Sequence, residues 1–232
     1  MELHARVEGT SLAVRGRVVD EIGHTTQEYR PDSEHEHNDI FYGVQFAKWL
    51  SQVLRLVQDL QPSSLSNDEK DEKEKEMFWR TLICNKTHNG IAATPDYADY
   101  FDALTIRQRI AEEALESCSN EELLIIDDPS GAYERADRQS RNYRMALQNS
   151  MYTKSFCLTK ELGMMGMVPG AAQVGDSIVV VAGSRVPFVM RRVSDGGQGT
   201  RWILIQECYV HGVMSGEYAQ DAGIEWEEII II

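Results

Sequence analysis

Hydrophobic positions follow two different periods along this chain. Near the N-terminus the period is two. Leu12, Val14, Gly16 and Val18 point one way between Ser11 and Ile22, and Arg15 and Arg17 point the other. Alternation with β-branched residues predicts a strand. Asp20 to Asn38 then turns polar and reads as a loop. This strand has no obvious partner nearby in sequence.

From Asn38 the period becomes three to four. Ile40, Val44, Ala47, Leu50, Leu54, Val57 and Leu60 make one stripe, with Asn38 placed to cap the helix and Pro62 past its end. Ser66 and Glu69 have capping-box spacing and predict a second helix to about Cys84, anchored by Phe78, Trp79 and Leu82. Its first half, Asp68 to Glu76, alternates acid and lysine and reads as a solvated face. Asn89-Gly90 marks a turn, and Thr94-Pro95 opens a third helix through Tyr97, Phe101, Leu104 and Ala111. A fourth helix is expected over Ala132 to Asn149. The stripes are narrow, so these helices are expected to lean on the β part and not to form their own core.

The last third returns to short β-type runs closed by glycine. Strands are predicted at Ser155–Thr159, Met164–Val168, Ser177–Ala182, Val186–Arg192, Arg201–Gln206 and Cys208–His211, with a bend near Glu207. Pro187 lacks an N–H and predicts an edge strand or a bulge. The run from Ile229 to Ile232 must be paired or covered, because an exposed isoleucine strand aggregates.

The simplest closure pairs the N-terminal strand with this C-terminal part. The predicted fold is therefore α+β. A small antiparallel β-barrel or curled sheet forms from residues 11–22 and 154–232, and a four-helix insertion spans 38–150, all within one domain over 1–232.

Charge narrows the partners. Lys and Arg number 23 against 37 Asp and Glu, a formal charge of −14. That excess repels nucleic-acid phosphates and anionic membrane surfaces, so neither is an expected partner. No run reaches the ~20 apolar residues of a membrane span. The N-terminus has no signal-peptide pattern. Cys84, Cys118, Cys157 and Cys208 are scattered, without a C-x-x-C pair. This fits a reducing, cytoplasmic setting, with Cys157 and Cys208 as small apolar core residues.

Candidate chemistry is sparse. His35-Glu36-His37 with His24, Glu34 and Asp39 lacks a third ligand at zinc spacing and reads as a polar loop. Gly163, Gly166 and Gly170 lack the strand-to-helix setting of a dinucleotide fingerprint and read as backbone bends. Gly175-Asp176 precedes a buried strand, where glycine takes positive φ and the aspartate satisfies backbone N–H groups. His211 and Glu217 flank Gly212 and Gly216, and the pair serves either acid–base chemistry or a hydrogen-bonded turn. Cys208 lies in a strand pattern and reads as buried. Met164, Met165, Met167 and Met214 fill a core in preference to lining a surface. No catalytic residue, metal or cofactor is predicted.

Four segments together resemble a known family. They are Lys160 to Pro169, Gly175-Asp176 to Val181, Val186-Pro187 to Arg191, and Tyr209 to Glu217. The string from Leu12 to Ile22 adds to them. Their order is similar to the region that follows the HET domain in fungal heterokaryon-incompatibility proteins. The resemblance implies a part in non-self recognition, in which allelic mismatch between fused cells leads to arrest or death. The resemblance starts within a dozen residues of Met1, so the HET effector domain is not expected in this sequence, and no catalytic residue carries over. The expected function is a non-enzymatic regulatory or recognition module with an unidentified protein partner. Gly163, Gly166, Gly175, Asp176, Pro187, Arg191, Tyr209, His211, Gly212 and Glu217 are its structural or interaction residues. The rival reading is a small-molecule-binding or hydrolytic barrel with a pocket near His211 and Glu217.

Overall fold

The computed structural model describes residues 5–30, 39–66, 68–117, 128–194, 200–214, 216 and 226–232. The chain divides into two compact units. One combines Met1–Thr25 with Ser155–Ile232, and the other is Thr26–Lys154.

The first unit is all β. Its strands are β1 (Arg6–Glu8), β2 (Ser11–Thr25), β3 (Lys154–Thr159), β4 (Met165–Pro169), β5 (Ser177–Val181), β6 (Phe188–Ser194), β7 (Thr200–Glu207), β8 (Tyr209–Val210) and β9 (Glu227–Ile231). Five of them close a ring of hydrogen bonds in the order β2-β5-β6-β7-β9 and back to β2. The ring is not a regular barrel, because β7 and β9 pair in parallel over only two positions while the other pairs are antiparallel. Beyond the ring, β2 continues to β3, then β4 and β8. The terminal isoleucines are thereby paired: Ile229, Ile230 and Ile231 lie opposite Val14, Ala13 and Leu12.

The long strand β2 joins the two layers. Over Gly16–Glu21 it pairs with β5, and over Ile22–Thr25 it pairs with β3, with register irregularities at both stages. Gly23 lies where a Cβ would meet the backbone of Lys160 at 2.9 Å, so the chains approach there only without a side chain. Two apolar clusters follow. Val14, Val179, Met190, Trp202 and Ile229 pack inside the ring. Ile22, Cys157, Val168, Ile178, Val180, Val189, Cys208 and Val210 pack between the ring and the β3-β4-β8 layer. Strand β5 supplies Val179 to one cluster and Val180 to the other, which explains its unbroken apolar sequence.

Arg17, which alternation turns away from Leu12, Val14, Gly16 and Val18, is 1% exposed, because its side of β2, shared with Val19, is the side the second layer covers. Four expectations are corrected here. The N-terminal strand does have a local partner, since Arg6–Glu8 pairs with Ser11–Ala13 across a turn at Gly9, where φ is +61°. Pro187 stands just before β6, which lies between β5 and β7 and not at an edge. Its missing N–H falls outside the ladder, and its carbonyl accepts from Cys208 N–H at 3.0 Å.

The second unit holds α1 (Asp39–Leu60), α2 (Glu72–Leu82), α3 (Tyr97–Ser117), α4 (Ala132–Gln139) and α5 (Arg141–Met151). The predicted fourth helix is divided at Ser140, giving five helices among the described residues. The fourth correction concerns packing. The helices bury a core of their own, with Val53, Val57, Phe78, Trp79, Leu82, Phe101, Leu104, Tyr143 and Leu147 all at most 2% exposed. Aromatic volume compensates for narrow stripes. Phe101 lies edge-on to Phe78 at 5.6 Å between centroids and 5.4 Å from Tyr143. The buried Tyr143 hydroxyl donates to the Trp79 carbonyl at 2.6 Å. No helix among the described residues is long and apolar enough to cross a membrane.

Candidate functional site

The polar residues singled out in the β unit fall into two groups. The first surrounds the entry to β5. Gly175 adopts φ +91° and its N–H donates to the Ile22 carbonyl at 2.9 Å, while Ile22 N–H returns a bond to the Asp176 carbonyl at 2.8 Å. The Asp176 side chain is 3% exposed and accepts from Gln173 N–H at 2.8 Å. Arg191 donates to both its oxygens, Nε to Oδ1 at 2.8 Å and Nη2 to Oδ2 at 2.9 Å, and also reaches the Ala171 carbonyl. The Asp176 hydrogen bond raises the Arg191 pKa further, so this guanidinium stays charged at any accessible pH.

A second carboxylate, which the sequence reading passed over, mirrors the first. Asp20 sits on β2 and grips the β3–β4 turn, whose Gly163 has φ +61°. Its oxygens accept from Leu162 N–H at 2.8 Å and from the N–H groups of Glu161 and Glu21. Burial alone pushes this carboxyl up, but the bonds from Leu162, Thr159, Glu21 and Glu161 outweigh it, and its pKa lies below the ordinary 3.8. Nothing local in sequence marks Asp20 for the turn it holds, because beyond its neighbour Glu21 the backbone donors lie 141 and 142 residues away.

The second group lies at the β4–β8 pair. Gly166 is opposite Val210, and a Cβ on it would come within 2.8 Å of the Tyr209 carbonyl oxygen. The Tyr209 hydroxyl and His211 Nδ1 are 3.2 Å apart, and His211 N–H donates to the Met165 carbonyl. Gly212 follows with φ +83°. A hollow of about 170 Å³ lies nearby, walled by Val181, Arg185, Pro187, Met214 and Trp226, and neither His211 nor Tyr209 is in its wall. Glu217 and the His35-Glu36-His37 cluster fall outside the described residues, as does Cys118.

Chemically, both aspartates are held by donors that fix turns. Asp176 is tied to Arg191 and Gln173, and Asp20 to the β3–β4 turn. The thiols are muted too. Cys157 is fully buried, and burial pushes its pKa up to about 12. No group of His, Cys, Asp and Glu suited to a metal occurs among the described residues. The arrangement is one of reinforced turns at the seam between two β layers.

Residues 129–229 match the Het-6 beta-barrel domain. The match takes in α4 and α5 and the strands from β3 into β9, but not β2. A segment of 83 residues is 42% identical to heterokaryon incompatibility protein 6, OR allele, of Neurospora crassa. That segment is 36% of this chain and only 12% of the relative. No solved structure matches the chain. The chain is thus related to fungal heterokaryon-incompatibility proteins through this region, as the motifs from Lys160 to Tyr209 implied.

Proposed function

We propose that this chain acts as a non-enzymatic recognition or regulatory module in heterokaryon incompatibility, meeting a protein partner in the cytoplasm. The observation that carries the reading is the 42% identity over 83 residues with an allele-named incompatibility protein, beside the barrel-domain match over residues 129–229. Two further features support it. The ionised groups at the seam hold turns and leave no activated nucleophile beside them. His211 bonds its neighbour Tyr209 and lines no part of the nearby hollow, which disfavours a hydrolytic pocket at that histidine. Partner contact falls to the charged helical unit, with the acid–lysine face of Glu72–Glu76 exposed or half-exposed.

The test is expression of the chain in Neurospora crassa strains carrying the OR allele and in strains carrying an alternative allele. The expected result is reduced growth or heterokaryon yield in one background only. Equal growth in both backgrounds overturns the recognition reading.

A further inference from the structure

A cavity in the helical unit lies apart from the polar groups of the β seam. It has about 340 Å³, within the roughly 300–1,000 Å³ typical of small-molecule sites. One wall is the face of α1 bearing Ser51, Leu54 and Arg55. The other is the face of α3 bearing Phe101, Thr105 and Glu112. Gln58 of α1, Asp102 of α3, Leu65 and Lys75 complete the lining.

The two helices meet tightly at one end of this wall. Gln108 Nε2 donates to the Ala47 carbonyl at 2.7 Å and to Ser51 Oγ at 3.0 Å, and Ser51 also bonds Glu112. At the other end Phe101, Leu54 and Leu65 leave apolar surface facing the space. A helix pair whose next turns carry Arg55 and Thr105 in place of larger apolar residues does not close over that surface. The cavity is therefore built into the sequence of both helices.

Its charges decide what would occupy it. Lys75 is paired with Asp102 at 2.6 Å, and Glu112 accepts from Ser51 and Gln108. Arg55 has no ion-pair or hydrogen-bond partner among the described residues. The wall carries two cations and two carboxylates, and Arg55 is the cation in it without a direct carboxylate partner; beside an apolar floor such a guanidinium offers its donors to a small anion with an apolar body. We infer that this cavity binds an amphipathic small-molecule carboxylate, its carboxylate on Arg55 and its hydrocarbon or aromatic body against Phe101, Leu54 and Leu65. Nothing in this site depends on the function proposed above.

The test uses the full chain and three probes of one shape: 4-phenylbutyrate, its amide, and 4-phenylbutylamine. Affinities are read by calorimetry and by ligand-observed NMR. The carboxylate is expected to bind more tightly than the amide or the amine. Arg55→Gln, a change on an exposed side chain, is expected to weaken it about tenfold, the worth of one charge-assisted contact. Arg138→Gln, on an exposed arginine of α4, is expected to change nothing. Thr105→Trp, checked for native circular dichroism, is expected to fill the cavity and abolish binding. No carboxylate binding up to about 5 mM, where fragment-sized ligands are detected, overturns the inference. So does equal affinity in Arg55→Gln and wild type, or a preference for the amine.

Discussion

Arg191 and Asp176 face each other across the β5–β6 pair with two parallel hydrogen bonds, at 2.8 and 2.9 Å. The carboxylate is 3% exposed and the guanidinium 33%, so one partner depends on the other for its solvation. Replacing Arg191 by Met strands a buried carboxylate, and Asp176→Asn keeps the shape while losing the charge. Arg191→Met is expected to cost about 3 kcal/mol and Asp176→Asn about 1–2. Urea unfolding of both variants checks the order, and a cost for Asp176→Asn equal to or above that of Arg191→Met contradicts it.

Asp20 makes stability depend on pH. Its pKa in the folded chain lies below the reference 3.8. Its contribution is therefore complete above that value and is lost as pH falls through the lower folded pKa. Asp20→Asn should be destabilised by about 1–3 kcal/mol at neutral pH, and the gap from wild type should close as pH falls through the lowered folded pKa. Denaturation midpoints measured across that range decide the matter. A gap that stays constant into acid would show that ionisation is irrelevant.

Gly166 is expected to tolerate no side chain. Alanine there would place its Cβ 2.8 Å from the Tyr209 carbonyl oxygen and 3.1 Å from Cys157 Sγ, both fixed by the β4–β8 pair and the core. The expected cost is about 2–3 kcal/mol, with separation of β8 from β4 seen as faster amide exchange at His211, whose N–H donates to the Met165 carbonyl. Gly9, at φ +61° but with nothing within 4 Å, should lose only about 1 kcal/mol as alanine.

Tyr143 tests the helical core. Its phenol pKa is raised well above the ordinary value by complete burial, so the hydroxyl acts only as a donor to Trp79. Phenylalanine should cost about 1–2 kcal/mol through the orphaned carbonyl. Alanine should cost about 3–5 by also removing contacts with Tyr97 and Phe101. Thermal unfolding followed at the helical circular-dichroism signal measures both.

The matched segment 129–229 lacks the strand that closes its sheet, because β2 sits between β5 and β9 and also carries β3. A fragment of residues 129–232 is therefore expected to aggregate through its open edges. Adding a peptide of residues 5–25 should restore dispersed amide spectra. A monomeric, folded fragment without that peptide would refute the closure by β2.

Fold class was legible because alternation at Leu12, Val14, Gly16 and Val18 and stripes such as Val44, Ala47, Leu50 and Val57 are local signals. So were the turns, where Gly163, Gly175 and Gly212 take positive φ. The family signal was legible for the same reason, being a series of contiguous strings. The burial of Arg17 could not be read from sequence, since alternation gives the face of β2 on which it lies but not the second layer that covers it. Asp20 could not be recognised, since its donors come from a turn 141 residues further on. The break at Ser140, the ring closed by β2 and the cavity beside Arg55 are likewise products of assembly. Composition and periodicity determine which residues prefer a helix, a strand or an interior. Which carboxylate meets which donor, and where two helices fail to close, depends on contacts distant in the chain, and only the folded arrangement decides those.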